Sequence, residues 1–440
     1  MTSTPVIARA LATAFLAGAI DEHELIDRGA QLLGKRWAWL PSLAARVCRK
    51  FAGGLRPRRI VLVEFLLADA GFHAACEKHE LAASGWLAIH TEMSPISAAA
   101  GWNLRSIRST GELADWLGTT TGELEWFADC KRLESKRNQG RLRHYHYRAL
   151  TKRFGHIRLI ESPKPRLKQL QRRVLTDILD LIPVHGAAHG FRRGYSVKTF
   201  AAPHAGRQVV ARLDLNDFFP SIRVSRVQAV FRAAGYPDRV ATLLAGICTN
   251  ATPLDVWNGY SLSPGSAVAR QVPFRYAQPH LPQGAPTSPA LANLCAYQLG
   301  CRLTGLATAA GASYTRYADD LAFSGDAEFA RTAKRFCLHA CAIAIEEGFQ
   351  VHHRKTRIMR SGVRQRLAGL VVNQRLNVSR IEFDRLKATL TNCARHGIAG
   401  QNRSDAPDFR AHLLGKISFV EMIHPVRGQR LRKLFARIDW

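Results

Sequence analysis

Hydrophobic and polar positions alternate in the stretch QVVARLDLNDFF, residues 208–219. Leu213 and Leu215 fall on one face of an extended chain, and Arg212 and Asp214 fall on the other. This period of two predicts a β-strand that carries a carboxylate.

Two more β-prone stretches, ASYTRYA and LAFSG, flank the adjacent carboxylates Asp319 and Asp320. Neighbouring residues on a regular strand point to opposite faces of the sheet, so both carboxylates can serve one site only where the chain turns. Two short strands around a polar break are typical of a hairpin. The pattern therefore predicts a β-hairpin with the Asp pair in its turn.

Helical periodicity covers much of the remaining chain. SRVQAVFRAAGY and DAEFARTAKRFCLHACAIAIEEGF are predicted to be helices, the second ending at Gly348. Residues 1–130 and the tail from about residue 380 are predicted to be mostly helical, and QRLAGLVVN is predicted to be one short strand. Helices that alternate with antiparallel strands predict an α+β fold, in which helices pack on a sheet.

The opening stretch MTSTPVIARALATAFLAGAI has an uncharged start, and Arg9 interrupts its apolar run. We interpret it as an amphipathic helix instead of a signal peptide. Thr110 and Thr121 each precede Gly-Glu-Leu and predict two further helix starts. Because no run reaches the ~18 apolar residues of a membrane span, we expect a cytoplasmic protein without a membrane partner.

The charge balance narrows the choice of partner. Lys and Arg number 63 against 34 Asp and Glu, which gives a formal net charge of +29. Such a surplus favours nucleic acid, with a membrane surface or the ribosome as the alternative. Residues 131–173 hold 15 Lys or Arg, two Glu and three interleaved aromatic side chains. That mixture suits phosphates and stacked bases, although a solvated basic face is the alternative, and Pro163 and Pro165 predict an extended segment there.

Asp214, Asp319 and Asp320 come from two strand elements and can meet at one place. Carboxylate oxygens are the ligands that Mg²⁺ prefers, and two such ions can stabilise the attacking and leaving oxygens of a displacement at phosphorus. Taken alone, an Asp pair in a turn is more often a solvated surface feature with no catalytic role. Upstream, the loop LPQGAPTSPALANL contains Gly284 and leads into a predicted helix at Ser288, an arrangement that suits a bound nucleotide.

At this point the chain resembles the reverse transcriptases, and among them the bacterial retron type. RLDLNDFFPSI is similar to the first catalytic strand of the palm, LPQGAPTSP to the nucleotide-site loop, and YADD to the catalytic hairpin. AHGFRRGYS is similar to a fingers motif, and HHRKTRIMR and LAGLVVN to later palm motifs. The resemblance runs from about residue 145 to residue 440 and implies a right-hand polymerase of fingers, palm and thumb.

Carried over by position, the resemblance implies a role for each matching residue. It implies that Asp214, Asp319 and Asp320 are the catalytic metal ligands, for two Mg²⁺ ions or, alternatively, Mn²⁺. It also implies a set of residues for the incoming nucleotide and its phosphates, namely Phe219, Gln283, Gly284, Lys164, Arg166, Arg172 and Lys355. The alternatives are a core role for Phe219, a loop hydrogen bond for Gln283, and surface positions for the basic side chains.

Phe219 falls where the family places a bulky ring against the ribose 2′-OH. Strand alternation would instead put Phe218 on the face of Asp214 and turn Phe219 away. The two readings agree only if the chain leaves strand geometry after Asn216. Pro220 favours an early end of the strand because it cannot donate a ladder hydrogen bond. We therefore predict a bend, and we assign the steric gate, the ring that excludes a ribose 2′-OH, to Phe219.

The resemblance further implies an organisation and a set of partners. We expect a helical N-terminal extension over 1–130, fingers and palm over 131–377, and a helical thumb over 378–440. The expected activity is RNA-directed DNA synthesis from dNTPs on a primer, with a cognate noncoding RNA as template and an RNA–DNA hybrid as product. Retron systems often serve anti-phage defence with an effector protein.

Two stretches depart from the retron pattern. The family's Asn-Ala-x-x-His element is here FAAPH, with Phe200 in place of the Asn, and its Val-Thr-Gly is here Leu367-Ala368-Gly369. Two alternatives to a retron enzyme therefore stay open: another bacterial reverse transcriptase, untemplated or similar to the group II type, and a non-catalytic RNA-binding protein with a palm fold. The intact Asp triad argues against the last.

Overall fold

The structure, a computed structural model, describes residues 3–51, 57–83, 92–133, 143–151, 157–258, 274–403 and 405–440. The helices of these residues are, in chain order, α1 Thr4–Phe15, α2 Glu22–Leu33, α3 Leu40–Phe51, α4 Arg59–Ala68, α5 Ala70–Lys78, α6 Thr110–Leu117, α7 Thr121–Ala128, α8 Pro165–Asp177, α9 Val197–Ala201, α10 Phe218–Ser221, α11 Val224–Ala233, α12 Asp238–Cys248, α13 Ser288–Cys295, α14 Tyr297–Ala309, α15 Ala327–Glu346, α16 Arg380–His396, α17 Phe409–Ile423 and α18 Pro425–Phe435. Within the described ranges, none of the helices has both the length and the apolar character that a membrane span requires.

The strands are β1 Tyr145–Thr151, β2 Ile157–Pro163, β3 Val209–Asn216, β4 Ser313–Tyr317, β5 Asp320–Gly325, β6 Gln350–Val351, β7 Arg357–Arg360, β8 Arg366–Leu367, β9 Leu370–Val371 and β10 Asn377–Val378. All of their pairings are antiparallel. Helices and antiparallel strands together confirm the predicted α+β class.

The chain divides into two compact units. One comprises Met1–Pro183 and Phe219–Cys295, and the other comprises Val184–Phe218 and Ala296–Trp440. The predicted functional boundaries near residues 130 and 377 stay a prediction.

The first unit opens with helices that build a core of their own. Helix α1 buries one apolar stripe, which includes Ile7, Leu11 and Phe15, and this stripe packs with apolar side chains of α2 to α5. The amphipathic interpretation of the opening stretch is confirmed. Further along, β1 and β2 form a two-stranded sheet, and Leu159 of β2 is fully buried with Trp257 and Tyr276.

The second unit is built around β3. This strand pairs with β5 along one edge and with β6 and β7 along the other, and β4 pairs with β5. Strand β3 lies in the middle of the sheet, and both of its faces are buried, since Val210, Leu213 and Leu215 are at most 1% exposed. Helices α16 to α18 add a second part of the core with Leu390, Ile417 and Leu431.

The predicted helix starts at Thr110 and Thr121 are confirmed, and the residue that caps each helix stands one position earlier. Ser109 caps α6, because its side chain accepts a hydrogen bond from the Glu112 N–H at 3.1 Å. Thr120 caps α7 in a capping box with Glu123. The predicted Thr110 and Thr121 are therefore the first helical residues, since the capping side chain must stand just outside the helix.

The extended segment predicted around Pro163 and Pro165 was wrong in part. Pro163 ends β2 and Lys164 is extended, but Pro165 begins α8. Proline is favoured at the first helical position, where its missing N–H would have no partner in any case. Residues 134–142 and 152–156 of the predicted basic segment lie outside the described residues.

The single strand predicted for QRLAGLVVN was also wrong. The stretch is a tight hairpin in which β8 pairs with β9 across Ala368 and Gly369. Both turn residues have positive φ, +45° and +86°. Two-residue hairpins favour this backbone because its twist matches that of the strands.

Candidate active site

Strand register brings the predicted carboxylates together. In the antiparallel pair of β3 and β5, Asp214 stands directly opposite Asp320. Asp319 lies in the two-residue turn between β4 and β5, and its carbonyl accepts the Leu215 N–H at 2.9 Å. The predicted hairpin is confirmed, except that Asp320 is the first residue of β5 and only Asp319 lies in the turn. The three carboxylates share one end of the central strand.

A second segment holds the turn in place. The Arg316 N–H donates to the Ala187 carbonyl, and the His189 N–H donates to the Arg316 carbonyl, both at 2.7 Å. Gly190 then comes so close that a Cβ there would lie 2.7 Å from the Ala318 nitrogen. Ala318 itself has a φ of +55°. The fingers-like stretch AHGFRRGYS therefore needs a glycine at 190, because the strained turn fills the space of a side chain.

The electrostatics of the carboxylates are dominated by burial and by their neighbours. Burial, followed by the negative charges of Asp214 and Asp320, raises the pKa of Asp319 to about 6. Burial likewise raises the pKa of Asp320, while the Arg212 guanidinium lowers it. Like charges held this close destabilise the ionised state, which a divalent cation would relieve.

Each of the two paired carboxylates has a cationic partner. The Lys355 Nζ lies 2.8 Å from Asp214 Oδ1, and the Arg212 guanidinium donates to Asp320 Oδ1 at 2.6 and 2.8 Å. In this arrangement the described part of the chain holds no group of three or more His, Cys, Asp or Glu side chains gathered closely enough for one ion. The donor set is nevertheless three carboxylates at one strand end, which fits the oxygen preference of Mg²⁺ once the cationic side chains move aside.

A pocket of about 370 Å³ lies within the first compact unit. Phe219, Gln283 and Gly284 line it, as do Lys168 and Arg172 from α8. The remaining lining residues follow Gly284 along the predicted nucleotide loop and are Ala285, Pro286, Ser288 and Pro289. The structure thus brings together four of the residues that the sequence predicted for the nucleotide, namely Phe219, Gln283, Gly284 and Arg172.

The bend that places Phe219 is present. Strand β3 ends at Asn216, Asp217 has a φ of +45°, and α10 begins at Phe218. Phe218 is 4% exposed and its ring packs against Phe349 with a centroid distance of 5.6 Å. Phe219 therefore leaves the strand alternation, as Pro220 had indicated, and its ring lines the pocket.

The other predicted basic residues lie elsewhere. The Arg166 guanidinium donates to the Gly118 carbonyl and to Gln169 Oε1, and Lys164 donates its backbone N–H to the His144 carbonyl. Neither residue lines the pocket. Lys355 lies at Asp214 in the second unit.

Lys168 was missed by the sequence prediction. It stands four residues before Arg172 on α8, and residues four apart on a helix share a face. This spacing was the signal that could have identified it, whereas Arg166 is six residues from Arg172 and falls on another face.

Comparison with known proteins gives the family. A family model described as "Reverse transcriptase (RNA-dependent DNA polymerase)" matches residues 150–383. The retron Mx65 reverse transcriptase of Myxococcus xanthus is 41% identical over 337 residues, which are 76% of this chain and 73% of the relative. The retron Mx162 reverse transcriptase of the same organism is 36% identical over 347 residues, which are 74% of this chain and 66% of the relative.

This chain belongs to the retron-type reverse transcriptases. The predicted family is thereby confirmed, and with it the right-hand polymerase class and RNA-directed DNA polymerase activity. Reverse transcriptases generally use divalent metal ions and bind a template and a primer. Among solved structures, the foamy viral protease-reverse transcriptase dRH in complex with ds DNA is similar at a TM-score of 0.37 and 15% identity, over 67% of this chain and 39% of that chain.

The first departure from the retron pattern lies in the core of this reverse transcriptase. Phe200 is fully buried and its carbonyl accepts a hydrogen bond from Thr315 Oγ1 at 2.9 Å. His204 is fully buried as well, with Nε2 at 2.8 Å from Thr315 Oγ1 and Nδ1 at 2.6 Å from Ser324 Oγ. Since the Thr315 hydroxyl donates to Phe200, it accepts from His204, and the imidazole is neutral with its proton on Nε2.

His204 predicts a specific pH dependence of stability. Burial, with smaller contributions from His189 and Arg207, lowers the pKa of His204 to about 3. The unfolded chain binds a proton near about pH 6.5 and the folded chain does not, so wild type loses stability as the pH falls from there towards 3, at up to about 1.4 kcal/mol per pH unit. We expect His204→Gln to be less stable than wild type at neutral pH, by ~1–3 kcal/mol for its lost hydrogen bonds.

Urea unfolding followed across that pH range measures this difference. The stability gap between wild type and His204→Gln should narrow as the pH falls. His339→Gln, which changes an exposed histidine on α15, is the matched control. Parallel curves for wild type and His204→Gln would contradict the prediction.

Proposed function

We propose that Asp214, Asp319 and Asp320 together hold two Mg²⁺ ions, with Mn²⁺ as an alternative, and that this triad is the nucleotidyl-transfer centre. The observation that carries the proposal is the register of β3 and β5, which sets Asp214 opposite Asp320 with Asp319 in the adjoining turn. When bound, such ions supply charge stabilisation to the attacking and leaving oxygens of a displacement at phosphorus.

Within this proposal the cationic neighbours have a task of their own. Lys355 and Arg212 neutralise Asp214 and Asp320 while no ion is bound. Lys355 is half exposed and its long side chain can leave Asp214 at low cost. A displaced Lys355 is then free to approach a pyrophosphate leaving group, as the motif resemblance implies.

We further propose that the pocket in the first unit receives the incoming dNTP. Lys168 and Arg172 give it two cationic side chains for a triphosphate, and Arg172 can bind phosphate oxygens with two N–H groups at once. Gln283 and Gly284 supply the polar wall of a nucleotide loop, and Phe219 supplies a flat apolar wall suited to a deoxyribose. Lys164 and Arg166 are left out of this proposal because their contacts lie elsewhere.

The natural template is, in this proposal, a cognate noncoding RNA, which the enzyme copies into DNA and leaves as an RNA–DNA hybrid. Fingers and palm would extend over residues 131–377 and the thumb over 378–440. Membership of the retron type supports the cognate RNA template. It also supports a role in anti-phage defence beside an effector protein. The alternative is a reverse transcriptase that acts on other templates.

Sequencing the nucleic acid that co-purifies with the protein separates these two proposals. We expect one structured RNA species, joined to or paired with DNA that is complementary to part of it. The RNA should remain and the DNA should be absent when the same preparation is made from Asp319→Asn. A heterogeneous mixture of cellular RNAs with no dominant species would contradict the cognate-RNA proposal.

A further inference from the structure

A cluster of polar side chains is buried within the first compact unit. Glu161 and His280 are each 0% exposed, and Thr252 and Asn250 are 1% and 5% exposed. Glu161 Oε1 accepts hydrogen bonds from Asn250 Nδ2 at 2.8 Å and from Thr252 Oγ1 at 2.7 Å. Glu161 Oε2 lies 3.0 Å from His280 Nε2. None of these side chains lines the pocket or belongs to the carboxylate triad.

The two nitrogens of His280 both face acceptors. Nδ1 lies 2.7 Å from the Gln278 carbonyl, and Nε2 faces the Glu161 carboxylate. An imidazole can donate from both nitrogens only when both carry protons, so this geometry assigns His280 as an imidazolium paired with ionised Glu161.

Two other side chains among the described residues lie close to His280 or to its acceptor, namely Tyr276 and Arg223. Tyr276 presents its ring at a centroid distance of 5.1 Å and an interplanar angle of 87°. The Arg223 guanidinium donates to the carbonyls of Arg275 and Gln278 at 2.8 and 3.4 Å. Arg223 and His280 Nδ1 thus share the Gln278 carbonyl as an acceptor.

This ion pair is joined directly to the nucleotide loop. The Glu161 N–H donates to the Gln283 carbonyl at 2.9 Å. Gly284, with a φ of +137°, passes so close that a Cβ there would lie 2.9 Å from the Glu161 carbonyl oxygen. The backbone of His280, at the start of the loop, exchanges two hydrogen bonds with Asn250 at 2.9 and 3.0 Å. The loop of residues 280–284 is therefore held at its start by the backbone of His280 and at its end by the backbone of Glu161.

We infer that the buried Glu161–His280 ion pair is the positioning device of the nucleotide loop, which fixes Gln283 and Gly284 for the incoming dNTP. The inference rests on the proposed function of the pocket. A buried ion pair fixes direction as well as distance, because each charge is stable only while its partner stays in place. Glu161 and His280 act through the loop backbone and make no contact with the nucleotide themselves.

The test compares Glu161→Ala with Glu161→Gln. The alanine leaves His280, Asn250 and Thr252 without their shared acceptor, so the loop loses its anchor. The glutamine can still accept from Asn250 and Thr252, and its amide can donate to Nε2 of a neutral His280. We expect the KM for dNTP to rise by about tenfold or more in Glu161→Ala and to stay within about threefold of wild type in Glu161→Gln.

Two further readouts distinguish positioning from a general loss of stability. The kcat and the affinity for a primer–template of poly(rA) and oligo(dT) should stay within about threefold of wild type in all variants. Asp69→Ala is the matched control, since it breaks a largely buried ion pair with Arg46 in the same unit, remote in sequence from the loop. It should lower the melting temperature without changing the KM. An equal rise in KM for Asp69→Ala and Glu161→Ala would overturn the inference.

The protonation state is tested without any activity. In protein labelled with ¹⁵N-histidine, both ring nitrogens of His280 should show protonated shifts in wild type at neutral pH, and one should lose its proton in Glu161→Gln. Loss of the same signals in His280→Gln assigns them. An unprotonated ring nitrogen in wild type at neutral pH would overturn the ion pair, even if Glu161→Ala failed to fold.

Gln283→Ala separates this inference from the proposed function. If Gln283→Ala leaves the KM for dNTP unchanged, the nucleotide site itself is misplaced. If it raises the KM, Glu161→Ala should add less than about twofold in the Gln283→Ala background, because both changes act on the same loop. Fully additive effects would overturn the positioning role while leaving the nucleotide site intact.

Discussion

Replacing Asp319 by asparagine is expected to reduce dNTP incorporation by roughly a thousandfold or more. The reason is that charge stabilisation at a two-metal centre lowers the reaction barrier by several kcal/mol, which the variant would lose. Asparagine keeps the shape of the side chain and removes only the charge. The measurement is single-turnover extension of a DNA primer on an RNA template. Activity within about tenfold of wild type would show that Asp319 is not part of the centre.

The same substitution carries a stability signature. The pKa of Asp319 is raised to about 6 in the folded chain, above the ordinary aspartate value of 3.8. A raised carboxyl pKa means that the folded state is destabilised at pH values above 6, and that this cost fades as the pH falls towards 3.8. In metal-free buffer, Asp319→Asn should therefore melt at a higher temperature than wild type near about pH 8, and the gain should shrink in acid.

Asp326→Asn is the matched control for both measurements. Asp326 lies in the same unit, its side chain is 69% exposed, and it pairs with Arg207 on the surface. Surface ion pairs contribute little, so this variant should keep its activity and change stability by at most ~1 kcal/mol. A melting temperature of Asp319→Asn that falls below wild type at every pH would contradict the repulsion argument.

Phe219→Ala is expected to raise incorporation of rNTP relative to dNTP by about ten- to a hundredfold, which corresponds to about 1.4–2.7 kcal/mol of lost discrimination. The ring of Phe219 forms a wall of the pocket, and under the proposed function this ring excludes the ribose 2′-OH of an incoming nucleotide. Alanine opens that space without changing Lys168 or Arg172, so DNA synthesis should be largely retained. Primer extension with competing rNTP and dNTP measures the ratio.

Phe218→Ala is the natural comparison for the gate. Phe218 is buried against Phe349, and loss of such a core ring costs about 3–5 kcal/mol. We expect this variant to be less stable and to keep its sugar selectivity. If Phe218→Ala relaxes the choice of sugar and Phe219→Ala only destabilises the protein, the gate is assigned to the wrong ring.

Short-range signals in the sequence were sufficient for much of the site. The period of two around Asp214, the polar break at Asp319 and Asp320 and the proline at 220 each act on a few neighbouring residues. The hairpin follows from these signals, whereas the bend before Phe219 was predicted from Pro220 together with the family resemblance. The ordered motifs then gave the family, which the relatives confirm.

Local signals failed where the sequence of a short stretch was compatible with two different backbone conformations. Pro165 is compatible with an extended segment and with the first turn of a helix, and the structure has the helix. Ala368 and Gly369 interrupt an apolar run whose hydrophobic pattern alone predicts one strand, and the structure has a hairpin there. In both cases the competing conformations differ little in local energy, and packing against the rest of the unit decides between them.

Only the tertiary structure decided which side chains meet across long stretches of chain. Nothing in the sequence near Lys355 points to Asp214, and nothing near Glu161 points to His280, yet both pairs lie within 3.0 Å. The same holds for the choice of Arg172 over Arg166 at the pocket. The physical reason is that a residue's own turn or period fixes only its local backbone, whereas partners more than a hundred residues away are set by strand register and helix packing, which depend on the whole core.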